Sequence, residues 1–404
     1  MQTHATIRPV VLLSILAATA LVVAGSGCGL SKAAPAKVGD VDSKENKDVA
    51  AVSRLLDGKN WPHYRGGPTA RGITHASLPK SPQLLWKTDL KQGPIESSAI
   101  VVDGMIYVGC LDGGLNAVDL KSGKKKWTLP TEIGINASPA YRDGRVYVGD
   151  VDGIFYCVNA ADGKLAWKFP TEAAIDNSAN FYKDNVLVGS QDARLYCLNA
   201  KTGKLVWKYE AEDQIRCAPT VIENRAFLAG CDGHLHIVDL DKGTKVDAVE
   251  IDGPTGSTAA AVGNHVYFGT EGATLFAIDW KAAKVSWRFR PARGQLPLRS
   301  SPAVTKDLVI FGSRNKRVYA LNRETGKKVW EFATRQRVDS SPVIVGSRAF
   351  IGSCDGRLYA LDVATGKPVW QYELGGQITA SPAVADGRLV IGNDEGVLFC
   401  FGEK

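Results

Sequence analysis

The 404-residue sequence lacks the short motifs that identify several common enzyme classes. It contains no Gly-x-Ser-x-Gly, which excludes the nucleophile elbow of the α/β-hydrolases, and no glycine-rich phosphate loop. No His-Glu-x-x-His occurs, and no Cys-x-x-Cys or mixed Cys/His spacing suits structural zinc. Any catalytic site would therefore have to be assembled by the fold from residues far apart in the chain.

Long apolar runs are also scarce, and the longest lies near the N-terminus. Residues 10–24 form a run of 15 apolar or small residues, too short to favour a transmembrane helix and suited to the core of a signal peptide. Small residues then lead to Cys28, in an arrangement that resembles a bacterial lipobox. We therefore predict a signal peptide over residues 1–28 and lipidation of Cys28.

The lipobox is imperfect, because Gly25 stands where such motifs prefer leucine. The alternative is ordinary secretory cleavage near Ser26, with Cys28 incidental. Residues 29–60 are rich in Lys, Asp, Ala and Ser, and such a composition cannot bury a core, so this stretch is predicted to be a flexible tether.

Charge of one sign is not concentrated anywhere. The chain has 49 basic and 42 acidic residues, a formal net charge of +7 that is spread along the sequence. Nucleic-acid-binding proteins usually show a basic patch or stripe, and none is visible here. Nucleic acid is therefore not an expected partner.

What the sequence has instead is a repeat of about 40 residues. Its clearest part is a turn, Thr-Gly or a variant of it, followed four residues later by tryptophan, as at Gly203 and Trp207. Position 247, where one tryptophan is due, holds Asp247. Self-similarity at this period indicates a repeat array. The tryptophans of the repeat are Trp86, Trp127, Trp167, Trp207, Trp287, Trp330 and Trp370.

Each unit shows the same internal plan, of which residues 137–167 are an example. A Ser-Pro step opens a short apolar run, and turns at Asp143-Gly144, Asp152-Gly153 and Asp162-Gly163 separate the strands that follow. Glycine suits such turns because it accepts positive φ. Four strands and three turns leave no room for a helix, so the unit is predicted to be a propeller blade.

The units can be counted from their opening residues. An eighth unit opens at Ser381 but ends at Lys404 without its tryptophan strand, whereas residues 84–87, Leu-Leu-Trp-Lys, precede the first unit. We predict an all-β fold over residues 84–404: an eight-bladed β-propeller of four-stranded antiparallel blades, closed by an N-terminal strand that completes the C-terminal blade. Residues 61–83 are predicted to be a structured lead-in on the rim or base. The seven complete units open at Ser98, Ser138, Ser178, Ala218, Thr258, Ser301 and Ser341.

The cysteines of the repeats fall at equivalent positions, not in pairs. Equivalent positions of neighbouring blades should be farther apart than the Cα distance of about 7 Å that a disulfide allows. We predict small buried thiols in the blade cores. The seven are Cys110, Cys231 and Cys354 at one position, Cys157, Cys197 and Cys400 at a second, and Cys217.

The pattern Ala-x-Asp-x-x-Thr-Gly-Lys-x-x-Trp, intact from Ala360 to Trp370, resembles the tryptophan-docking repeat of pyrroloquinoline-quinone (PQQ) propellers. Two groups of proteins share that repeat: the quinoprotein dehydrogenases and the non-catalytic BamB lipoproteins of outer-membrane protein assembly. The unit that holds Asp247 departs from the pattern, and so does the next, with Ala282-Ala283 in place of Thr-Gly. Looser turns are expected there.

Residues two positions before each unit's opening should form a ring at one mouth of the central channel. Glu96, Asn136 and Asp176 carry oxygen atoms of the kind calcium uses, and the dehydrogenases that this chain resembles hold calcium with the same residue types. Those enzymes also bracket the quinone with an adjacent cysteine pair and a tryptophan, and this sequence has no Cys-Cys. The alternative is that Arg216 and Arg299 pair with Asp176 and Asp339 in a solvated channel. The predicted ring is Glu96, Asn136, Asp176, Arg216, Gly256, Arg299, Asp339 and Thr379.

Three functions remain open at this point. The first is an exported, lipid-anchored, monomeric scaffold that binds envelope proteins on the periplasmic face of the outer membrane, similar to BamB, with no cofactor. The second is a dehydrogenase that uses PQQ and calcium. The third is a carbohydrate- or envelope-polymer-binding module, in which exposed Trp61, Tyr64 and Trp280 would stack on sugars. We favour the alternative, that these aromatic side chains cover the blades.

Overall fold

The computed structural model describes residues 58–404, and the predicted signal peptide, the lipidation site Cys28 and most of the predicted tether lie outside these residues. The described chain folds into eight antiparallel sheets of four strands each, which confirms the eight-bladed β-propeller. Helical structure within this part is limited to one 3-10 turn at Tyr64–Gly66.

Blades one to four each consist of four consecutive strands, from the channel outward. Blade one is Ile100–Val102, Met105–Cys110, Gly114–Asp119 and Lys125–Leu129; blade two is Ala140–Arg142, Arg145–Gly149, Ile154–Asn159 and Leu165–Pro170; blade three is Asn180–Tyr182, Asn185–Gly189, Arg194–Asn199 and Leu205–Glu210; blade four is Thr220–Ile222, Arg225–Ala229, His234–Asp239 and Thr244–Glu250.

Blades five to seven follow the same order, and blade eight takes its outer strand from the N-terminal side. Blade five is Ala260–Val262, His265–Gly269, Leu275–Asp279 and Lys284–Phe289; blade six is Ala303–Val304, Leu308–Ser313, Arg317–Asn322 and Lys328–Ala333; blade seven is Val343–Val345, Arg348–Gly352, Arg357–Asp362 and Pro368–Glu373; blade eight is Ala383–Ala385, Arg388–Gly392, Val397–Gly402 and Gln83–Asp89.

The tryptophan of each outer strand packs on the next blade. In all eight blades the outer strand shifts register by one residue at this point, a β-bulge that redirects the side chain. The Trp127 ring lies over Gly163 of blade two, where an added Cβ would come within 2.6 Å of the ring. Trp127 Nε1 donates to Ala160 O at 3.1 Å, and Trp86 joins blade eight to Leu120 O in the same way at 3.0 Å.

The seam between blades four and five is packed from the opposite direction. Asp247 occupies the tryptophan position of blade four and is exposed. Trp280 of blade five fills the seam instead, with its ring 5.5 Å from Phe227 of blade four and only 8% of its surface exposed. Trp280 therefore covers a blade, as favoured from the sequence, and is not exposed for stacking on sugars, because the aromatic ring supplies the contact that Asp247 cannot make.

Hydroxyl groups link the inner strands in a second ring. The backbone N–H of Ser341 donates to Ser381 Oγ at 2.9 Å, and the same bond recurs from Ser301 to Ser341 and from Ser98 to Ser138. Ser381 N donates in turn to Ser98 Oγ at 2.9 Å, which joins the last blade to the first. The Ser-Pro steps of the sequence thus tie neighbouring blades together.

The lead-in segment, residues 58–76, fills the channel and does not pack on the rim or base as predicted. Its backbone carbonyls accept hydrogen bonds from the inner strands as it runs around the channel, and Ile73–Thr74 pairs in parallel with Val343–Val345. Trp61 bridges to Val101 and is 1% exposed, so it packs against the propeller, although in the channel and not on the rim, and is not available to stack on sugars. Every blade bonds to this segment, at Val101, Tyr141, Asn180, Val221, Ala261, Val304, Ile344 and Asp386.

The lead-in and the closing strand should contribute separately to stability. Deleting residues 1–57 should leave the melting temperature unchanged, since the composition of residues 29–57 cannot bury a core. Deleting residues 1–76 should lower it, because the inner-strand amides lose their partners. Deleting residues 1–91 should also expose the edge of Val397–Gly402 and cause aggregation, measured by light scattering. Equal melting and equal scattering of the two longer deletions would contradict closure by Gln83–Asp89.

A point substitution tests the same closure without removing backbone. Trp86→Ala should destabilise the protein by about 3 kcal/mol, because the ring and its hydrogen bond are lost at the blade eight–blade one seam. Trp127→Ala, at the equivalent place between blades one and two, is the control and should cost a similar amount in chemical denaturation. A negligible effect of Trp86→Ala beside a large effect of Trp127→Ala would show that the last seam does not support the ring.

Candidate functional site

The predicted ring residues occupy one repeated backbone position, directly after a residue that is buried under the mouth. Ile95, for example, is fully buried, and the Glu96 side chain that follows it is exposed. The charges of Asp394, Asp176 and Asp339 act on the Glu96 carboxyl, so these side chains face a common opening. The buried residues before the eight ring positions are Ile95, Ile135, Ile175, Ile215, Thr255, Leu298, Val338 and Ile378.

Two ring carboxyl groups, Glu96 of blade one and Asp176 of blade three, have no basic side chain within ion-pairing distance in the described chain. Limited access of water raises the pKa of Glu96, and the charges of Asp394, Asp176 and Asp339 raise it further, while Arg337 opposes them. Burial likewise raises the pKa of Asp176, against the charge of Arg216 and a hydrogen bond from Gln191. This side of the mouth is therefore electrostatically unfavourable for carboxylates.

Ring residues Arg299 and Asp339 pair with other groups than predicted. Arg299 Nε pairs with Glu271 at 2.7 Å, so the predicted pairing of Arg299 with Asp339 is wrong. Asp339 instead accepts two bonds from Arg314, at 2.8 and 2.9 Å, and one from Arg337 at 3.1 Å.

Arg216 also departs from its predicted pairing. Its Nε donates to Gln214 Oε1 at 3.0 Å, and it acts on Asp176 only through its charge. Sequence reasoning failed here because Glu271, Arg314 and Arg337 come from turns and loops around the ring, not from the ring positions.

Below the ring the channel narrows onto the lead-in segment. A cavity of about 210 Å³, including its opening to solvent, lies between the lead-in and the inner strands of blades three to five. Tyr64 lines it and its hydroxyl lies 3.2 Å from Ser301 Oγ and 3.1 Å from Ser341 Oγ. Burial lowers the pKa of neighbouring His63 to about 3, so this side chain is neutral.

The ring positions do not supply the tryptophan or the adjacent cysteine pair that the resemblance to the quinone enzymes implies. Of the predicted oxygen donors, Asp176 already accepts a bond from Gln191, and in residues 58–404 no three His, Cys, Asp or Glu side chains converge closely enough to hold a metal. All nine tryptophans lie in the described chain: seven at blade seams, Trp61 in the lead-in and Trp280 in blade five. None is at a ring position. The seven described cysteines are free, and six are buried.

His236 belongs to blade structure. Its Nε2 lies 2.7 Å from Asp232 Oδ2 and its Nδ1 lies 2.9 Å from the Tyr209 hydroxyl. In blades three and seven a tyrosine takes this place, and Tyr196 donates to Asp192 at 2.7 Å. The histidine therefore replaces a turn-fixing tyrosine.

One connection departs from the repeat and was missed as a site. The loop of residues 290–299 joins blades five and six, and the interval from Trp287 to Trp330 is 43 residues instead of 40. Leu296 in this loop is 46% exposed, while Leu298 is buried beside the ring residue Arg299. The signal was present in the sequence, as a break in the period.

The geometry defines a protein class: eight-bladed propellers with tryptophan-docked, PQQ-type repeats. The chain belongs to the family described as "Outer membrane protein assembly factor BamB", which it matches over residues 70–180, 156–246 and 232–403. Among the described residues there is no helix suited to crossing a membrane.

Similar proteins include a BamB, an alcohol dehydrogenase and a hydroxylase. BamB from Moraxella catarrhalis superposes with a TM-score of 0.68 at 19% identity, over 80% of this chain and 100% of that one. Quinohemoprotein alcohol dehydrogenase from Comamonas testosteroni gives 0.74 at 15% identity, over 89% and 84%. These identities show a shared fold. Lupanine 17-hydroxylase [cytochrome c] from Pseudomonas sp is 37% identical over 92 residues, which is 22% of this chain and 13% of the hydroxylase.

The free energy of unfolding should fall as pH rises, because of the carboxyl groups at the mouth. A raised pKa means that the folded state holds the Glu96 proton more tightly, so stability falls as pH rises from the ordinary value of 4.5 through the folded value. Glu96→Gln should therefore be more stable than the wild type at pH 7, by about 1 kcal/mol or less because solvent screens this side chain. Denaturant unfolding at pH 4 and pH 7 measures the difference.

Below pH 4 the advantage of Glu96→Gln should disappear, since the carboxyl is then protonated in both states. Glu132→Gln, which changes an exposed carboxyl outside the ring, is the matched control. A Glu96→Gln variant that is less stable than the wild type at pH 7 would show that Glu96 has an attractive partner.

Proposed function

We propose that this protein is an exported, non-catalytic scaffold that binds protein partners at the bacterial outer membrane. The observation that carries the proposal is the filling of the channel by the chain's own lead-in segment, which leaves the faces and loops as the binding surface. The family to which the chain belongs is described as an outer-membrane assembly factor, and this supports the choice of partner. A monomer anchored through a lipid on Cys28 completes the proposal.

The loop of residues 290–299 is the surface that we assign to the partner. Loops on a rigid scaffold carry binding more often than the elements they join, and this loop is the one that lengthens the repeat. Leu296 offers an exposed apolar side chain, and Arg293 beside it is exposed as well. Arg290 and Arg299 are fixed by Asp252 and Glu271, so the ends of the loop are held. An apolar centre with a charged rim is the usual composition of a protein interface.

Substitution of Leu296 tests this assignment. Leu296→Ser should weaken capture of outer-membrane assembly components from envelope extract at least about ten-fold, because an apolar anchor is lost from the interface. Leu205→Ser is the matched control, since Leu205 is 47% exposed on the outer strand of blade three. Quantitative mass spectrometry of captured proteins is the measurement. Equal loss in both variants, or no assembly component captured by the wild type, would overturn the proposal.

A quinone-dependent dehydrogenase is the second candidate, favoured by the similarity to the lupanine hydroxylase and by the shared propeller of the alcohol dehydrogenase. Titration with PQQ in the presence of calcium distinguishes the two functions. A ligand that binds only the folded state must raise the melting temperature by mass action. The scaffold proposal expects no shift at saturation, and a clear shift with a bound-quinone spectrum would favour the enzyme.

A further inference from the structure

The lead-in segment is held mainly through its backbone. Five of its carbonyl groups, from Pro62 to Gly72, accept hydrogen bonds from inner-strand amides at 2.8 to 3.0 Å. Backbone bonds of this kind do not depend on the sequence of the segment that supplies the carbonyls. The inner strands therefore present a ring of donors that another polypeptide following the same path around the channel could satisfy, namely the amides of Tyr141, Val221, Ala261, Val304 and Ile344.

The side chains of the segment fit less well than its backbone. Arg65 is 2% exposed, and its Nη2 donates to Pro302 O at 3.0 Å. Its Nε and Nη1 have no hydrogen-bond partner, and neither does Nδ1 of neighbouring His63. Burial lowers the pKa of Arg65 to about 10, opposed only by Tyr64, so no acidic group compensates the charge. A buried, uncompensated guanidinium opposes the closed position of the segment.

The backbone around Arg65 adds to this cost. Arg65 has φ of 63° and Ala70 has φ of 50°, in the left-handed region that side chains other than glycine disfavour. Of the seven buried side-chain atoms without a partner in the described residues, three belong to His63 and Arg65. The unpaired buried atoms and the left-handed backbone conformations are therefore concentrated between residues 63 and 70 of the lead-in.

A second arginine near the segment shows the opposite arrangement. Arg348 of blade seven donates to the carbonyls of Leu78, Pro79 and Lys80 at 2.7 to 3.0 Å. It fastens the chain between the lead-in and the closing strand Gln83–Asp89. One arginine thus opposes the seated segment, and the other holds the chain that directly follows it.

We propose that the lead-in segment is a releasable plug and that the inner-strand amides it covers take up a polypeptide segment of a partner protein along the same path. The proposal rests on the proposed function in one respect, that the partner is a protein. The chain's own segment shows how such a partner would bind, with backbone carbonyls directed at the amides of successive blades. Release of the segment exposes these amides and at the same time returns the Arg65 guanidinium to solvent.

Hydrogen exchange of the inner-strand amides measures release. In the wild type, peptides that contain Val221, Ala261 and Val304 should exchange faster than peptides from Arg225–Ala229, because opening of the plug needs no unfolding of a blade. Arg65→Met should slow exchange at the inner strands at least about ten-fold, since an apolar side chain removes the unpaired charge. Arg348→Met, the control, should accelerate it. Unchanged or faster exchange in Arg65→Met would overturn the proposal.

A synthetic peptide of residues 58–76 tests the binding ring directly. The labelled peptide should bind the wild-type protein saturably, more weakly to Arg65→Met by at least about three-fold, and more strongly to Arg348→Met. A peptide of the same composition in scrambled order controls for nonspecific adhesion. Absence of saturable binding to all three proteins would overturn the proposal that the inner strands can bind a second segment. That failure is distinct from failure of the proposed function, because capture through Leu296 is measured at the loop of residues 290–299 and does not require the peptide.

Discussion

The packing of each blade against the next is the constraint on which this structure depends. A twisted four-stranded sheet cannot bury both of its faces alone, so its core must be shared with a neighbour. Six of the seven buried clusters in the described residues accordingly combine two adjacent blades, as where Leu115 of blade one meets Val146 of blade two, and the seventh spans blades seven, eight and one with the lead-in segment. The tryptophan over the glycine turn is the outer end of this shared core. Where Asp247 breaks the pattern, Trp280 restores the apolar contact from the other side of the seam.

Shared cores also require that the last blade find a partner, and three independent contacts satisfy this requirement. Gln83–Asp89 completes blade eight, Ser381 bonds to Ser98, and the lead-in segment bonds to every inner strand. The first two join neighbours in the ring, whereas the third joins all blades to one segment at the centre. Opening of the ring at any seam would therefore disturb bonds at the channel as well.

In this fold, side chains from all blades converge at the channel. Here most of the charged ones pair with one another. Arg299, Arg314 and Arg337 are neutralised by Glu271 and Asp339, and the lead-in occupies the depth below them. The fold alone is compatible with a scaffold and with an enzyme, because propellers of this type support both and differ in the residues of the mouth and loops. The mouth of this chain lacks the tryptophan and the cysteine pair that the quinone enzymes use.

The repeat pattern of the sequence determined the architecture. Residues such as Gly163 and Trp127 are local signals repeated in every blade, and the unpaired strand around Trp86 predicted the closure, because strands and turns follow from short-range periodicity. The period break before Trp330 also marked the loop that carries Leu296. The side-chain pairs at the mouth could not be predicted from the repeat. Arg299 pairs with Glu271 and not with Asp339 because of distances between loops, which the period of the sequence does not determine. The lead-in gave no repeat to read, and only the tertiary structure placed it in the channel, where all eight blades bond to one irregular segment, seven through the backbone and blade three through the Asn180 side chain.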